Sequence, residues 1–305
     1  MLKIYQKRHW FFALSILLLL IGVLTAVFAG IELDIQFRGG SIIEYAYTGS
    51  LDLKQVEETI AAEIGRNVTC QEVVSFGDQS TSLMINVAGN EALSPEMLAR
   101  LEDALVTAFP SLGFKLNEAN LVDPFIGREL MMNGIWAILI TSVLVVAYVS
   151  VRFRTMSGPS AGVMALVALF HDVLLVFFVF VVLRIPLNES MVAVVLSILG
   201  YSLNDTIVIY DRIRENERNY KGKMPLADLA DLSVNQSLSR SINTTMTTVA
   251  VMAIAYIFAT AYNIQSIKEF ALPMLIGLVS GTYSSIFIAT PLWVSWKTRR
   301  GRSGY

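Results

Sequence analysis

Six long apolar runs constrain this chain more than any other feature of its sequence. A helix needs ~20 residues to cross the ~30 Å hydrocarbon core of a bilayer, so each run predicts one transmembrane helix. Of the 305 residues, 54% are hydrophobic and only 16% are charged, which excludes an ordinary soluble protein. The predicted spans are Trp10–Gly30, Met131–Val151, Ser157–Leu183, Ser190–Tyr210, Ser241–Asn263 and Phe270–Trp296.

The first apolar run shares two features with a secretory signal. Basic residues precede it, and Val27-Phe28-Ala29 resembles a cleavage site with small residues. Its apolar region is longer than the ~15 residues of a signal peptide, so we expect an uncleaved membrane anchor.

The distribution of basic residues predicts the orientation. The segments that we place inside carry 15 basic and 4 acidic residues, so the positive-inside rule puts both termini in the cytoplasm. The external segment 31–126 instead carries 15 acidic and 5 basic residues, which we interpret as a solvated surface rather than a binding site. The other five spans lie within residues 127–297. The inside segments are 1–9, the turn with Arg152 and Arg154, 212–240, and the tail 298–305 with the preceding Lys297.

Strand and helix patterns alternate in the external segment. Leu33–Tyr47 predicts a strand and Leu53–Ile64 a helix with one apolar face. Val68–Phe76 and Ser82–Ala88 follow as strands, a second helix opens at Ser94-Pro95, and Leu112–Val122 closes as a strand. The order βαββαβ predicts a small ferredoxin-like α+β domain between the first and second transmembrane helices.

Two glycines, Gly39 and Gly40, interrupt the first predicted strand. Glycine within a strand marks a bulge or a close backbone approach, so this pair could set the angle at which the domain leaves the membrane. A flexible joint without fixed geometry is the alternative.

In the spans, Gly158 with Gly162 and Gly277 with Gly281 predict close helix packing.

The chain carries no recognisable constellation for catalysis. It has no GxxxxGK[ST] phosphate loop, one cysteine, and two histidines far apart in sequence, His9 and His171. We therefore expect no enzyme activity, no cofactor or metal, and no nucleic-acid partner.

Acidic residues inside predicted spans point to transport. Asp205 lies in the fourth span between Asn204 and Thr206, and an ionised carboxylate there costs ~2.5–3.5 kcal/mol even on the lenient insertion scale. Such residues face a polar interior, pair with a partner or carry protons. Asp172 in the third span follows His171 and lies at similar depth. A purely structural hydrogen-bond cluster is an equally good interpretation for Asp172.

The fifth span contributes a possible cationic partner for these acids. Arg240 stands at its inner end, and its long side chain could extend along the helix toward Asp205. An interfacial anchor is the commoner role for such an arginine. The residues that follow Arg240 in this span carry hydroxyl and amide groups: Ser241, Asn243, Thr244, Thr247 and Thr248.

Four motifs resemble those of the SecF proteins in the SecD/SecF family of bacterial protein-export membrane proteins, within the resistance-nodulation-division superfamily. They are QFRGG at 36–40, ALFHDV at 168–173, GYSLNDTIVIYDRIREN at 200–216 and SLSRSINTTMTT at 237–248. The resemblance covers nearly the whole chain, including one span before and five spans after the external domain.

The resemblance implies an accessory subunit of the Sec translocase in the cytoplasmic membrane of a bacterium. In this family the complex with SecD, a homologous six-span subunit, uses the proton-motive force to assist export of unfolded polypeptides. An aspartate and an arginine tied to proton movement correspond to Asp205 and Arg240. The other implied partners are the SecYEG translocon and, as a further candidate, YajC.

Two other functions stay open at this stage. A half-transporter of the same superfamily could export small molecules or lipids, although the external domain is small for a drug-efflux porter. A passive scaffold for another complex is the third possibility, and it would be favoured if neutralising Asp205 left function unchanged.

Overall fold

The bundle and the external domain are separate parts of one chain in the computed structural model. The structure describes residues 2–34, 40–49, 51–66, 68–74, 81–88, 93–122, 124–156, 158–220, 223–262, 264–299 and 301. Gly39 lies outside the described residues, so the proposed role of the Gly39–Gly40 pair stays a prediction.

The external domain contains four strands and two helices in the predicted order. They are β1 (Gly40–Ala46), α2 (Leu53–Ile64), β2 (Val68–Val74), β3 (Thr81–Ala88), α3 (Pro95–Ala108) and β4 (Lys115–Val122), numbered after the first membrane helix α1. The sheet order is β2-β3-β1-β4, and every neighbouring pair is antiparallel. This is the ferredoxin-like arrangement, so the predicted fold class is confirmed.

Local sequence signals explain where the two helices of the domain begin. The Asp52 side chain accepts a hydrogen bond from Lys54 N, and Ser94 accepts one from Met97 N, with Pro95 in the first helical turn. Both helices bury one apolar stripe against the sheet. The core contains Ile43, Tyr45, Val56, Ile60, Leu83, Ile85, Leu101 and Leu105, all fully buried.

The membrane bundle is built from six helical units that are long and apolar enough to span a bilayer. Three of them are much longer than the ~20 residues that a span requires: Glu189–Asn219 (α6) has 31 residues, Leu226–Ala261 (α7) has 36 and Gln265–Arg299 has 35. Most of the segment 212–240 continues α6 and α7. The units are α1 (Arg8–Ala29), α4 (Pro124–Arg152), α5 (Gly158–Val182), α6 (Glu189–Asn219), α7 (Leu226–Ala261), and α8 (Gln265–Ser284), which continues through a π-helical segment (Ser285–Ala289) into α9 (Thr290–Arg299).

The segment after α1 is attached to the loop between α5 and α6. Leu33 and Leu187 form an isolated parallel bridge, in which Asp34 N donates to Leu187 O at 3.0 Å. The Arg184 guanidinium pairs with Glu32 at 2.7 Å. The chain is therefore held against the bundle just before the first strand begins. β1 starts at Gly40, whose φ of +152° is rare for residues with a side chain.

The N-terminal segment is held against the start of α7. Asp231 Oδ1 accepts hydrogen bonds from Ile4 N at 3.1 Å and Tyr5 N at 2.9 Å. Asn235 Oδ1 accepts one from Leu2 N at 2.8 Å. These contacts satisfy backbone donors that would otherwise be unpaired ahead of α1.

The glycines of the two small-residue motifs lie at close helix contacts, as predicted. A Cβ at Gly158 would collide with the Ser150 backbone carbonyl on α4, and a Cβ at Gly277 would collide with the Ile198 side chain on α6. A Cβ at Gly281 would stand 3.0 Å from Ser202 Cβ. The absence of a side chain allows the helix axes to approach at these points.

Substitution of Gly158 by alanine should destabilise the bundle by roughly 1–3 kcal/mol, because the obstacle is backbone and cannot rotate away. Gly200 is the matched control, since no atom lies within 4 Å of a Cβ at that helical position. Gly200→Ala should be neutral or stabilising. Thermal unfolding of the purified full-length variants in detergent measures both effects, and equal midpoints would contradict the packing interpretation.

Cys70 provides a reporter for folding of the external domain because it is the single cysteine of the chain. Burial raises the pKa of its thiol from 9.0 to about 12, and the charge of Glu57 adds to the increase. The thiolate fraction near pH 8 should therefore be about a thousandfold lower than for a free cysteine. We expect a thiol reagent to label the native protein very slowly and the denatured protein at once.

A control places the cysteine on the opposite face of the same strand. In a Cys70→Ser background, Thr69→Cys moves the thiol to an exposed position. That variant should react rapidly without denaturant, as followed by absorbance or mass spectrometry. Rapid labelling of native Cys70 would mean that the domain does not form this core.

Candidate proton site in the membrane bundle

Two aspartates are buried where α5, α6 and α8 meet. Asp172 on α5 has no exposed surface, and Asp205 on α6 is 2% exposed. A carboxylate removed from water needs hydrogen-bond donors or a counter-charge to be tolerated. The surroundings of these two acids therefore decide what each can do.

Asp172 is surrounded by hydroxyl donors from two other helices. Its Oδ2 accepts hydrogen bonds from Ser202 Oγ at 2.7 Å and Ser284 Oγ at 2.6 Å. Its Oδ1 accepts one from Ser280 Oγ at 2.8 Å and lies 3.2 Å from His171 Nδ1. Both carboxylate oxygens thus have two partners, which satisfies most of the acceptor capacity of an ionised group.

His171 presents a second buried polar atom beside Asp172. Its Nε2 atom is buried without a hydrogen-bond partner among the described residues, and its ring lies 6.3 Å from that of Tyr283. The Tyr283 hydroxyl instead donates to Phe11 O at 2.7 Å, which ties α1 to α8.

Asp205 has fewer donors than Asp172. Its Oδ2 accepts a hydrogen bond from Thr282 Oγ1 at 2.7 Å, and Thr282 is in turn 2.5 Å from Thr245 Oγ1 on α7. The Ser241 hydroxyl also lies beside this carboxylate, without a hydrogen bond of good geometry. Asp205 therefore lies between α6, α7 and α8, nearer to α7 than Asp172 is.

Further hydroxyl side chains on α6 and α8 lie near the two acids. Ser202 lies three residues before Asp205, and Thr206 Oγ1 is 2.8 Å from Ser285 Oγ. Ser285 Oγ also donates to Ser202 O at 3.0 Å. We define the hydroxyl network as Ser202, Thr206, Thr245, Ser280, Thr282, Ser284 and Ser285.

The end of α8 supplies most of this network, and sequence reasoning missed it. The run Ser280-Gly281-Thr282-Tyr283-Ser284-Ser285 was interpreted only through its glycine. Successive helical residues point ~100° apart, so Ser284 reaches Asp172 on α5 while Ser285 reaches Thr206 on α6. The π-helical segment begins at Ser285, and such segments are frequent at functional sites. The run of hydroxyls inside an apolar span was the available signal.

The predicted cation is not paired with Asp205 in this structure. Arg240 on α7 is exposed and forms no ion pair with any described residue. The next residue, Ser241, is buried beside Asp205, so the α7 backbone lies close to the acid while the guanidinium faces outward.

The four residues predicted to support the proton pathway are also divided between buried and exposed positions. Thr206 belongs to the hydroxyl network, whereas Asn204 and Asn243 are exposed. Thr244 is half-buried, and its carbonyl accepts a hydrogen bond from Tyr201 at 3.1 Å. The exposed side chains Asn204, Arg240 and Asn243 form what we call the polar face of α6 and α7.

A third buried acid in the bundle was also missed. Glu269, near the start of α8, accepts hydrogen bonds from Asn188 Nδ2 at 2.5 Å and Gln265 Nε2 at 2.9 Å. Its sequence position beside Lys268 at a span end made it resemble an ordinary interfacial charge. Across the described ranges, His, Cys, Asp and Glu side chains do not gather in threes as a metal site would require.

Hydroxyl groups suit a carboxyl that changes its protonation state. A threonine or serine hydroxyl donates to a carboxylate and, after rotation, accepts from the protonated acid. Asp205 with Thr282 and Thr245 has this property, and it is close to a face that a cation can reach. The hydrogen bond between Thr282 and Asp205 can therefore persist in either protonation state of the carboxyl.

Fold and site together define a class: a six-span membrane protein with ionisable groups inside the bundle and one external α+β domain. Residues 102–299 match the family model "Protein export membrane protein SecD/SecF, C-terminal". The chain belongs to the SecD/SecF family of membrane proteins.

Individual relatives agree over almost the whole chain. It is 33% identical to protein translocase subunit SecF of Alicyclobacillus acidocaldarius, over 97% of this chain and 93% of that protein. It is 31% identical to protein translocase subunit SecDF of Bacillus subtilis, over 96% of this chain and 38% of that protein. The crystal structure of the translocon-associated SecDF from Thermus thermophilus has a TM-score of 0.76 at 28% identity, over 97% of this chain and 38% of that one. The chain thus corresponds to about two fifths of a SecDF polypeptide.

A double-mutant cycle should show that Asp172 and Ser280 act as a unit. Ser280→Ala should cost about 1 kcal/mol of stability, and Asp172→Asn about 1–3 kcal/mol, because an amide cannot accept from all of these donors. The double variant should lose less than the sum of the two. Ser197→Ala is the control, since Ser197 is exposed and bonds only Ala193 O of its own helix. Strict additivity in detergent unfolding would contradict the coupling.

Proposed function

We propose that the chain is a non-enzymatic accessory subunit of the Sec protein translocase, which works with SecD and uses the proton-motive force to assist polypeptide export. The observation that carries this proposal is Asp205, buried in a membrane helix with hydroxyl groups as its hydrogen-bond partners. Membership in the SecD/SecF family supplies the export context.

Asp205 is the proton-binding group in this proposal. A guanidinium within ion-pair distance stabilises the carboxylate, and withdrawal of that guanidinium leaves only hydroxyl partners, which also suit the protonated acid. Arg240 is one residue from Ser241, so rotation of α7 about its axis would bring its side chain toward the acid. Repeated rotation would then bind and release a proton in each cycle.

The membrane potential is large enough to drive such a cycle. Moving one charge through 100 mV yields ~2.3 kcal/mol, which can bias the positions of α6 and α7. Asp172 has a different place in the proposal. Its four partners hold α5, α6 and α8 together, so it supports the pathway as a structural junction beside the proton-binding acid.

The polar face of α6 and α7 supports SecD as the partner. Asn204, Arg240 and Asn243 are exposed although they belong to membrane-spanning helices, and lipid tails offer them no hydrogen bonds. A second bundle on this face would cover them. The relatives named SecDF contain a region similar to this chain within one longer polypeptide, which agrees with a SecD neighbour.

The remaining partners and the location follow from the same family. We place both termini in the cytoplasm of a bacterium, with the α+β domain outside the cytoplasmic membrane near the emerging unfolded chain. SecYEG is the expected translocon partner and YajC a further candidate. A half-transporter for small molecules or lipids has less support, because the matched relatives are named as protein translocase subunits.

Asp205→Asn should preserve folding and assembly with SecD while it abolishes the uncoupler-sensitive part of export. The amide keeps the size of the side chain but does not titrate. Arg240→Met should give a similar loss, and Asp172→Asn a smaller one once the folded fraction is equalised. Translocation of a precursor into inverted membrane vesicles, with and without an uncoupler, measures the effect.

The matched control is Asp211→Asn on the same helix. Asp211 is half-exposed and pairs with Arg152 and Arg214 at the end of the apolar region. This variant should retain the uncoupler-sensitive component. If the Asp205→Asn complex also retained it in full, Asp205 would be a packing residue and proton coupling would have to be assigned elsewhere.

A further inference from the structure

An open apolar groove lies between α1, α5 and α8, away from the polar face. Its volume is about 410 Å³. Each helix forms one wall, and the lining residues include Leu18 of α1, Phe178 of α5 and Val279 of α8. All three helices belong to apolar spans, so the groove opens into the hydrocarbon of the bilayer.

The chemistry of the walls defines an apolar occupant. Ten of the twelve lining residues are purely hydrocarbon, and the other two are Ser280 and Tyr283. Both of these hydroxyls are already used inside the protein, since Ser280 donates to Asp172 and Tyr283 donates to Phe11 O. A ligand with buried polar atoms would find no free partner on this surface.

The size of the groove fits one hydrocarbon chain. A methylene group has about the bulk of a water molecule, ~30 Å³, so 410 Å³ holds roughly fourteen of them. We propose that this groove binds one acyl chain of a membrane phospholipid as a retained structural ligand. The two hydroxyls in its walls already have partners in the protein, so the groove does not suit a polar ligand.

The place of the groove in the bundle separates it from the face assigned to SecD. Asn204, Arg240 and Asn243 mark that face on α6 and α7, whereas the groove walls come from α1, α5 and α8. Polar side chains on a membrane-facing surface need hydrogen-bond partners from another protein, whereas an apolar groove in the hydrocarbon can be filled by a lipid chain. The acyl chain therefore occupies a site that remains open when the polar face is covered.

The headgroup should contribute little to binding. Val182 and Leu183 form the end of the groove next to Arg184, the nearest cation along the chain. Its guanidinium already pairs with Glu32 and donates to Ala29 O at 2.6 Å. We thus expect selectivity for chain length and not for headgroup charge.

The bound chain would also contact the wall of the hydroxyl network. Ser280 faces the groove and donates to Asp172, so the lipid lies one side chain away from that acid. Because lipid tails are as apolar as the groove, close packing and not release of water favours the bound chain. Packing of this kind depends strongly on shape, which makes the site sensitive to a larger side chain.

The test uses the full-length chain, purified with its co-expressed partner and placed in nanodiscs with phosphatidylglycerol that carries a photoreactive palmitoyl chain. After irradiation, mass spectrometry maps the labelled residues. We expect labelling to concentrate on the groove walls in α1, α5 and α8. In Val279→Trp, which fills the groove, this labelling should fall by about tenfold.

The matched control is Ile254→Trp, which adds the same indole to an exposed position of α7. It should leave groove labelling unchanged. Should Val279→Trp fail to fold, Leu18→Trp fills the groove from α1. An experiment without variants is competition of the wild-type label by unlabelled lipids: palmitoyl phosphatidylglycerol and palmitoyl phosphatidylcholine should compete equally, and octanoyl lipids poorly.

Three results would overturn the proposal. One is labelling spread evenly over exposed faces, as for bulk lipid. Another is equal labelling of the wild type and the groove-filling variant. The third is capture of a partner peptide, instead of lipid, by a photoreactive residue placed at position 279. None of these outcomes depends on whether the chain takes part in export.

Discussion

The hydrogen bonds to Asp172 are the interaction on which the bundle depends. One buried carboxylate accepts from Ser202 of α6 and from Ser280 and Ser284 of α8, and it lies on α5. Removing one of these donors leaves a buried carboxyl oxygen with one partner fewer, and removing all of them would leave a polar group in hydrocarbon without compensation. The glycine contacts beside it, such as Gly281 against Ser202, allow the helices to come close enough for short hydrogen bonds.

The two aspartates of the bundle have different surroundings. Asp172 is enclosed and nearly saturated with donors, so its hydrogen bonds fix the arrangement of three helices. Asp205 has one strong donor, Thr282, and lies beside α7, the helix that carries an exposed arginine. Hydroxyl donors surround both acids, so Asp205 is distinguished by its smaller number of donors and by the exposed arginine on the neighbouring helix.

Sequence reasoning found what hydropathy and periodicity determine. The six spans follow from apolar length, and the βαββαβ order follows from alternating patterns with a clear cap at Ser94. The rotation of each span about its own axis was not predictable, because α5 is apolar on nearly every side and α7 carries hydroxyl and amide groups on several sides. For that reason Arg240 could be placed at the level of Asp205 but not on the outward face. The serines of α8 were missed because a serine in a span bonds its own helix as readily as a neighbour.

The join between the external domain and the bundle has a mechanical consequence. β4 ends at Val122 and α4 begins at Pro124, so one residue separates an edge strand of the sheet from a transmembrane helix. Proline restricts the backbone angles at the start of α4. Because the linking stretch is so short, movement of β4 with the sheet acts on the start of α4 for as long as the pairing of β4 with β1 holds. Force applied to the domain would therefore reach the bundle through its second transmembrane helix.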